Sequence, residues 1–380
     1  MSLHSDSWSC DRPLRLKHLA TTLALGVLMV NPSSWAQDRP SVVLEGTARL
    51  VVDLRGGSIG EFRLKNNPLN PLHWGTPPAG NMDVRGFGHF LCLDRWGPPS
   101  EAEGKQGMPY HGEAAHVLWN VVEQPQRIGN SLEASLQAKL PLAGLSVKRH
   151  LKLSANQSIC RVQEEVTNDR PVGRVYNMVQ HPTISPPFLD AETLVDCNGR
   201  RGFAQGNPLP HPEEPSFHWP LALTRDGTSV NLRHLTDSSD PNVVTYAIDE
   251  RYGWVTAASP KRGLLIGYLW KTSDYPWVSL WRDVRDGKPA ARGLEFGTTG
   301  LHQPFAQLTR VGPIWDRPVM EHLDAGESRS RSYTIFIMPI PDNFSGVDGL
   351  MVSGPKLILR ERRTDSPRSL ELQAGEELLP

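Results

Sequence analysis

The sequence predicts an all-β fold, a sandwich or barrel of many short strands. Three observations carry this. Gly and Pro number 33 each, together about 17% of 380 residues against a usual value near 12%. That excess breaks helices and supplies turns. Short runs alternate apolar and polar residues or are rich in β-branched and aromatic side chains, as strands require. No segment carries three turns of a convincing amphipathic helix.

The elements follow in chain order. Residues 42–54, VVLEGTARLVVDL, alternate for much of their length. Residues 131–139 and 145–153 form a pair around the Pro141–Gly144 turn. Residues 158–168, SICRVQEEVTN, place Cys160, Val162 and Val166 on one face. Residues 263–270, GLLIGYLW, are nearly all apolar and fit a central strand buried on both faces. Residues 332–338, SYTIFIM, are β-branched and aromatic. Arg55-Gly56-Gly57, Asp226-Gly227 and Asp286-Gly287 mark turns between such runs. Pro-rich loops lie at 68–80, 97–110 and 207–220. No internal repeat or low-complexity linker interrupts residues 40–340, so one large β domain is expected there. Residues 361–380 are charged with few aromatics and read as a loosely held tail.

The first 36 residues have the layout of a secretory signal. Arg12, Arg15 and Lys17 precede the apolar run ATTLALGVLMV, and Ser34 and Ala36 stand at the −3 and −1 positions of a cleavage site. The apolar run is too short to span a membrane. The expected mature chain begins at Gln37, is periplasmic or secreted, and has no stable membrane insertion. Of four cysteines, Cys10 leaves with the signal. Cys92, Cys160 and Cys197 can form at most one intramolecular bridge, which excludes a disulfide scaffold. Cys160 reads as a buried free thiol.

Composition narrows function. Hydrophobic residues at 38% and charged residues at 21% exclude a disordered chain and a multi-span membrane protein. A net charge of −1 gives no basic face for nucleic acid. Oligomeric state is left open. There is no G-x-S-x-G, P-loop, H-E-x-x-H or dinucleotide fingerprint.

Trp and His near Gly- and Pro-rich loops suit a sugar site. An indole stacks on the apolar face of a pyranose, and the hydroxyls need polar neighbours. Trp254 and Trp270 lie in strand-like runs and read as core. His111 and His116 are five residues apart, a spacing that does not align two metal ligands on a helix face, so no metal is expected. Asn177, Gln180 and His181 lie near the end of a strand entering a Pro-rich loop. Glu295, between Leu294 and Phe296, should face away from both.

These segments, in this order, resemble the galactose mutarotase-like (aldose 1-epimerase) superfamily. The likeness runs through GGSIGEFRLKN at 56–66, GHFLCLDRWGPPS to VLWNV at 88–121, residues 151–189, LEFGTT at 294–299 and LDAGESRSRSYTIFIMP at 323–339. It implies a large antiparallel β-sandwich, a supersandwich, with a sugar site in a groove on one sheet. It implies His181 as general acid and Glu295 as general base, with His111 and Arg95 binding and orienting the sugar; Asn177 and Trp96, near the same loops, are further candidate sugar contacts. No cofactor is implied; the partner is a small sugar or glycan. A base would take the anomeric O1 proton while an acid protonates the ring oxygen, opening the hemiacetal. His181 and Glu295 are expected on opposite sides of a space one sugar ring wide. Two alternatives share the fold: a non-catalytic carbohydrate-binding protein, and a polysaccharide lyase using Tyr176, Asn177, His181 and Arg174 on a uronate.

Overall fold

The computed structural model describes residues 39–75, 86–206, 216–363, 366 and 368–380. The segment 1–36, expected from sequence to be a secretory signal, lies outside them. Strands dominate, and every named pairing is antiparallel. Among the described residues only two α-helices occur, Glu101–Lys105 and Phe305–Val311, neither longer than two turns.

Two large sheets, of 12 and 8 strands, share one continuous core. Leu50, Phe62 and Leu91 come to it from the larger sheet, and Leu136, Val162 and Ile266 from the smaller. Alternation explains the layering. In Leu145–Ser154, Leu145, Val147, Leu151 and Leu153 are buried in the core, while Ser146, Lys148 and Lys152 between them are not buried in it.

Leu264–Lys271 lies inside the smaller sheet, between Tyr252–Ser259 and Ser328–Pro339. It is buried on both faces, as its composition predicts. Leu264, Ile266, Tyr268 and Trp270 face the main core, while Leu265 and Leu269 face a second one. The cover on that second face is a three-stranded sheet of Val347–Ser353, Lys356–Glu361 and Ser369–Gln373.

This corrects the expectation of a loose tail at 361–380. Ser369–Gln373 pairs with Lys356–Glu361, and Leu372, Leu378 and Leu379 are buried against Trp254, Leu265 and Phe336. The charges of this segment mask a period-2 pattern: Leu372 is buried, while Glu371 and Gln373 on either side are exposed. Cys92, Cys160 and Cys197 are all buried and free.

In the larger sheet, the strand Arg174–Ile184 pairs along one edge with His89–Asp94. Along its other edge it meets three short strands in turn: Glu321–Leu323, Glu295–Gly297 and Lys288–Gly293. Its even-numbered residues Tyr176, Met178 and Ile184 enter the core. Its odd-numbered residues Val179 and His181 face the other way, and the candidate site is built there.

Candidate active site

Strand register assembles the central residues. Phe90 pairs with His181, and Phe296 pairs with Gln180, which carries Glu295 opposite His181. Glu295 in turn pairs with Ser279. Phe90, His181 and Glu295 are therefore neighbours in one rung on the same face of the sheet, the closest cross-strand relation available. Leu294 and Phe296 enter the core, and Glu295 turns away from both.

His181 Nε2 lies 3.2 Å from Glu295 Oε1. On its far side the Trp96 indole N–H donates to Glu295 Oε2 at 2.7 Å. His181 Nδ1 contacts Thr183 Oγ1 at 3.1 Å, and Phe90 stacks on the imidazole with ring centroids 4.3 Å apart. Gly293 makes room for the carboxyl group: a methyl there would sit 2.7 Å from Glu295 Oε1.

His181, Glu295, Trp96 and Phe90 line a cavity of about 400 Å³. Trp74 and Trp281 form an apolar wall, ring edge to ring face at 5.7 Å. His111, Tyr110 and His302 also line it, with the two imidazoles 5.4 Å apart and Tyr110 Oη 2.9 Å from His302 Nε2. His111 adopts φ +67°, a left-handed conformation at the reversal between Tyr110 and Gly112. The Gly97 N–H donates to its Nδ1 at 3.0 Å, so a neutral His111 carries its proton on Nε2.

Electrostatics are set by burial. Glu295 is 1% exposed, and among the described residues no guanidinium or ammonium bonds to it. Burial pushes its carboxyl up to about 8, and the Trp96 bond only partly opposes this. Burial pushes His181 down to about 3, His302 down to about 4, and His111 well below the usual imidazole range. Near neutral pH the Glu295–His181 contact is therefore a carboxylic acid against a neutral imidazole, one proton shared by two groups. That inventory is the same as in the carboxylate–imidazolium form, so a proton crossing the 3.2 Å contact interconverts them.

No family model matches the chain, and no curated protein matches it in sequence. Solved structures do match. A galactose mutarotase-like protein from Clostridium acetobutylicum superposes with a TM-score of 0.57 at 13% identity, over 80% of this chain and 100% of its own. A galactose mutarotase related enzyme from Lactobacillus acidophilus gives 0.56 at 12%, over 80% and 99%. A galactose mutarotase-like protein from Lactobacillus casei ATCC 334 gives 0.55 at 15%, over 79% and 100%. The chain has the galactose mutarotase-like fold. At these identities the likeness speaks for the fold alone, and the chemistry rests on the side chains.

In this mutarotase-like sandwich, four of the six site residues expected from sequence meet at the cavity: His111, His181, Glu295 and Trp96. Arg95 does not reach it. Its guanidinium is buried between Asp94 and Glu103, bonded to both. Asn177 shares the face of His181 but lies four residues away, roughly 13 Å along the strand. There its Oδ1 accepts from Thr298 Oγ1 at 3.3 Å. Trp96 edges the cavity, but its one polar atom is held by Glu295.

The opposed placement of acid and base is also corrected. His181 and Glu295 touch, and no sugar ring fits between their polar atoms. The ring oxygen and O1 share one carbon, so the two groups must reach the same edge of the sugar, and adjacency on one rung provides that. The residues of the lyase alternative disperse. Tyr176 turns into the core, where Arg331 Nη1 donates to its hydroxyl at 2.6 Å, and Arg174 is ion-paired with Asp94.

Sequence reasoning did not single out Phe90, Tyr110, His302, Gln205 or Asn242, all of which line the cavity. Phe90 was findable only with the strand register in hand. Tyr110 adjoins His111, and His302 lies in the same Gly- and Thr-rich loop that follows Glu295.

Proposed function

We propose that this protein is a sugar epimerase of the aldose 1-epimerase kind, interconverting the anomers of a free or modified aldose by ring opening. The observation that carries the reading is the Glu295–His181 contact of 3.2 Å, buried on a cavity with aromatic walls and holding one mobile proton. The fold supports it.

The chemistry needs one group to remove the O1 proton and another to protonate the ring oxygen. In the carboxylate–imidazolium form, Glu295 takes the O1 proton while His181 gives its proton to the ring oxygen. The C1–O5 bond breaks, C1–O1 becomes a carbonyl, and the pair again holds one proton. Rotation about C1–C2 presents the other carbonyl face, and the steps reverse. In the carboxylic acid–imidazole form the two groups exchange roles without changing the balance. Trp74 and Trp281 offer apolar faces to the ring, and the Nε2–H of His111 offers a donor to a hydroxyl.

Exchange of α and β anomers, followed by saturation-transfer NMR over a panel of free aldoses, tests this. At least one aldose should exchange well above the buffer rate. A panel exchanging at the buffer rate, with sugars nonetheless bound, would leave a carbohydrate-binding protein. The proposal also takes the mature protein to be exported, on the strength of the 1–36 segment. N-terminal sequencing of material outside the cytoplasm should begin at Gln37; a cytoplasmic protein retaining residues 1–36 contradicts it.

A further inference from the structure

The two oxygens of Glu295 meet different chemistry. Oε1 faces His181 Nε2, an atom that can give or take a proton. Oε2 faces the Trp96 indole N–H at 2.7 Å, which can only donate. A proton on Oε2, pointing at that N–H, would set two donors against each other at a carboxyl group that is itself 1% exposed. Trp96 cannot turn away easily. It is 2% exposed, and its ring stands edge-on to His302 at 4.8 Å. We infer that Trp96 is a positioning residue that confines the mobile proton of Glu295 to Oε1, the oxygen in contact with His181.

This inference rests on the acid–base reading of the same pair. It adds that the proton is held on the reactive side by a residue that need not touch the sugar. A donor to the carboxyl group also favours its ionised form. The bond thus opposes the upward push of burial, and its removal should raise the carboxyl's midpoint further.

The test is a titration that needs no turnover. Protein labelled with ¹³C at the glutamate δ-carbon is followed by NMR, and the resonance lost in Glu295→Gln identifies Glu295. In Trp96→Phe its midpoint should rise by about one pH unit. The anomer-exchange kcat should fall by about 10–100-fold, with KM within about twofold of wild type. An unmoved midpoint overturns the inference whether or not the protein turns over sugar. Failure of the epimerase reading is seen separately, as Glu295→Gln exchanging anomers at the wild-type rate. Should Trp96→Phe not fold, the indole ¹⁵N–¹H resonance of Trp96 in the wild-type protein serves. It should shift with the Glu295 midpoint and lose that shift in Glu295→Gln. An indole resonance blind to the titration overturns the inference.

Discussion

Glu295 and Glu164 are each 1% exposed, and each meets the Arg174–Ile184 strand, at consecutive residues on opposite faces. Their partners differ. Glu164 accepts from Arg149 Nε at 2.7 Å and from Gln180 Nε2 at 2.6 Å. Arg149 lies over the Trp119 ring at 4.4 Å and donates to the Gly57 carbonyl, while Gln180 continues the network to His89. Glu295 has an indole N–H and an imidazole, and no guanidinium among the described residues. A buried carboxylate with a guanidinium is compensated and ties strands together. A buried carboxyl group without one is held in its acid form and ready to exchange its proton. Two adjacent residues of one strand thus serve a structural polar core and the candidate site.

The largest expected effect breaks the reactive member. Glu295→Gln keeps shape and both hydrogen-bond directions but cannot exchange a proton. Anomer exchange should fall about 10²–10⁴-fold, or about 2.7–5.5 kcal/mol in the barrier, while sugar binding by calorimetry persists. Glu164→Gln strikes the structural member and leaves Arg149 buried without its anion. Denaturant unfolding should show a loss of about 3–5 kcal/mol; a neutral result would dissolve the contrast.

A smaller effect has the opposite sign. The folded-state value of Glu295 is raised from 4.5 to about 8, so between those limits the folded protein binds the proton that the unfolded chain has released. Its contribution to stability therefore declines as pH rises through that window, by at most about 1.4 kcal/mol per pH unit. Glu295→Gln removes the loss, so unfolding curves at pH 5 and 7.5 should show the variant gaining on wild type as pH rises. The smallest effect concerns Asn177. Asn177→Ala should change exchange by less than about threefold and cost about 1 kcal/mol for the lost bond to Thr298. A large rise in KM would return Asn177 to the sugar.

Much of the fold was legible because its signals are local. Leu294 and Phe296 bracket Glu295 with a period of two, so its direction could be read from three residues. GLLIGYLW declared burial on both faces, although the sheet covering its second face was hidden in a charged C-terminal segment. The site was legible in part. His111, His181 and Glu295 could be placed together only through resemblance, because their meeting depends on pairing between distant strands. Arg95 was misplaced because its neighbours Asp94 and Glu103 compete for its charge at short range. Adjacency of acid and base, and the room left by Gly293, come from register and packing, and neither has a signature in composition or spacing.

The proposed chemistry requires the Glu295–His181 pair to hold one proton, and the pH dependence of anomer exchange by the wild-type protein tests that most directly. The second proton would enter His181 only near 3, and the working proton leaves Glu295 near 8. Exchange per enzyme, corrected for the buffer reaction, should be level from about pH 5 to 7 and fall tenfold per unit above about 8. A bell centred at about 5.5, with an acid limb at the ordinary carboxyl value and an alkaline limb at the ordinary imidazole value, would show that a separately charged Glu295 and His181 do the work, and would contradict the shared-proton pair.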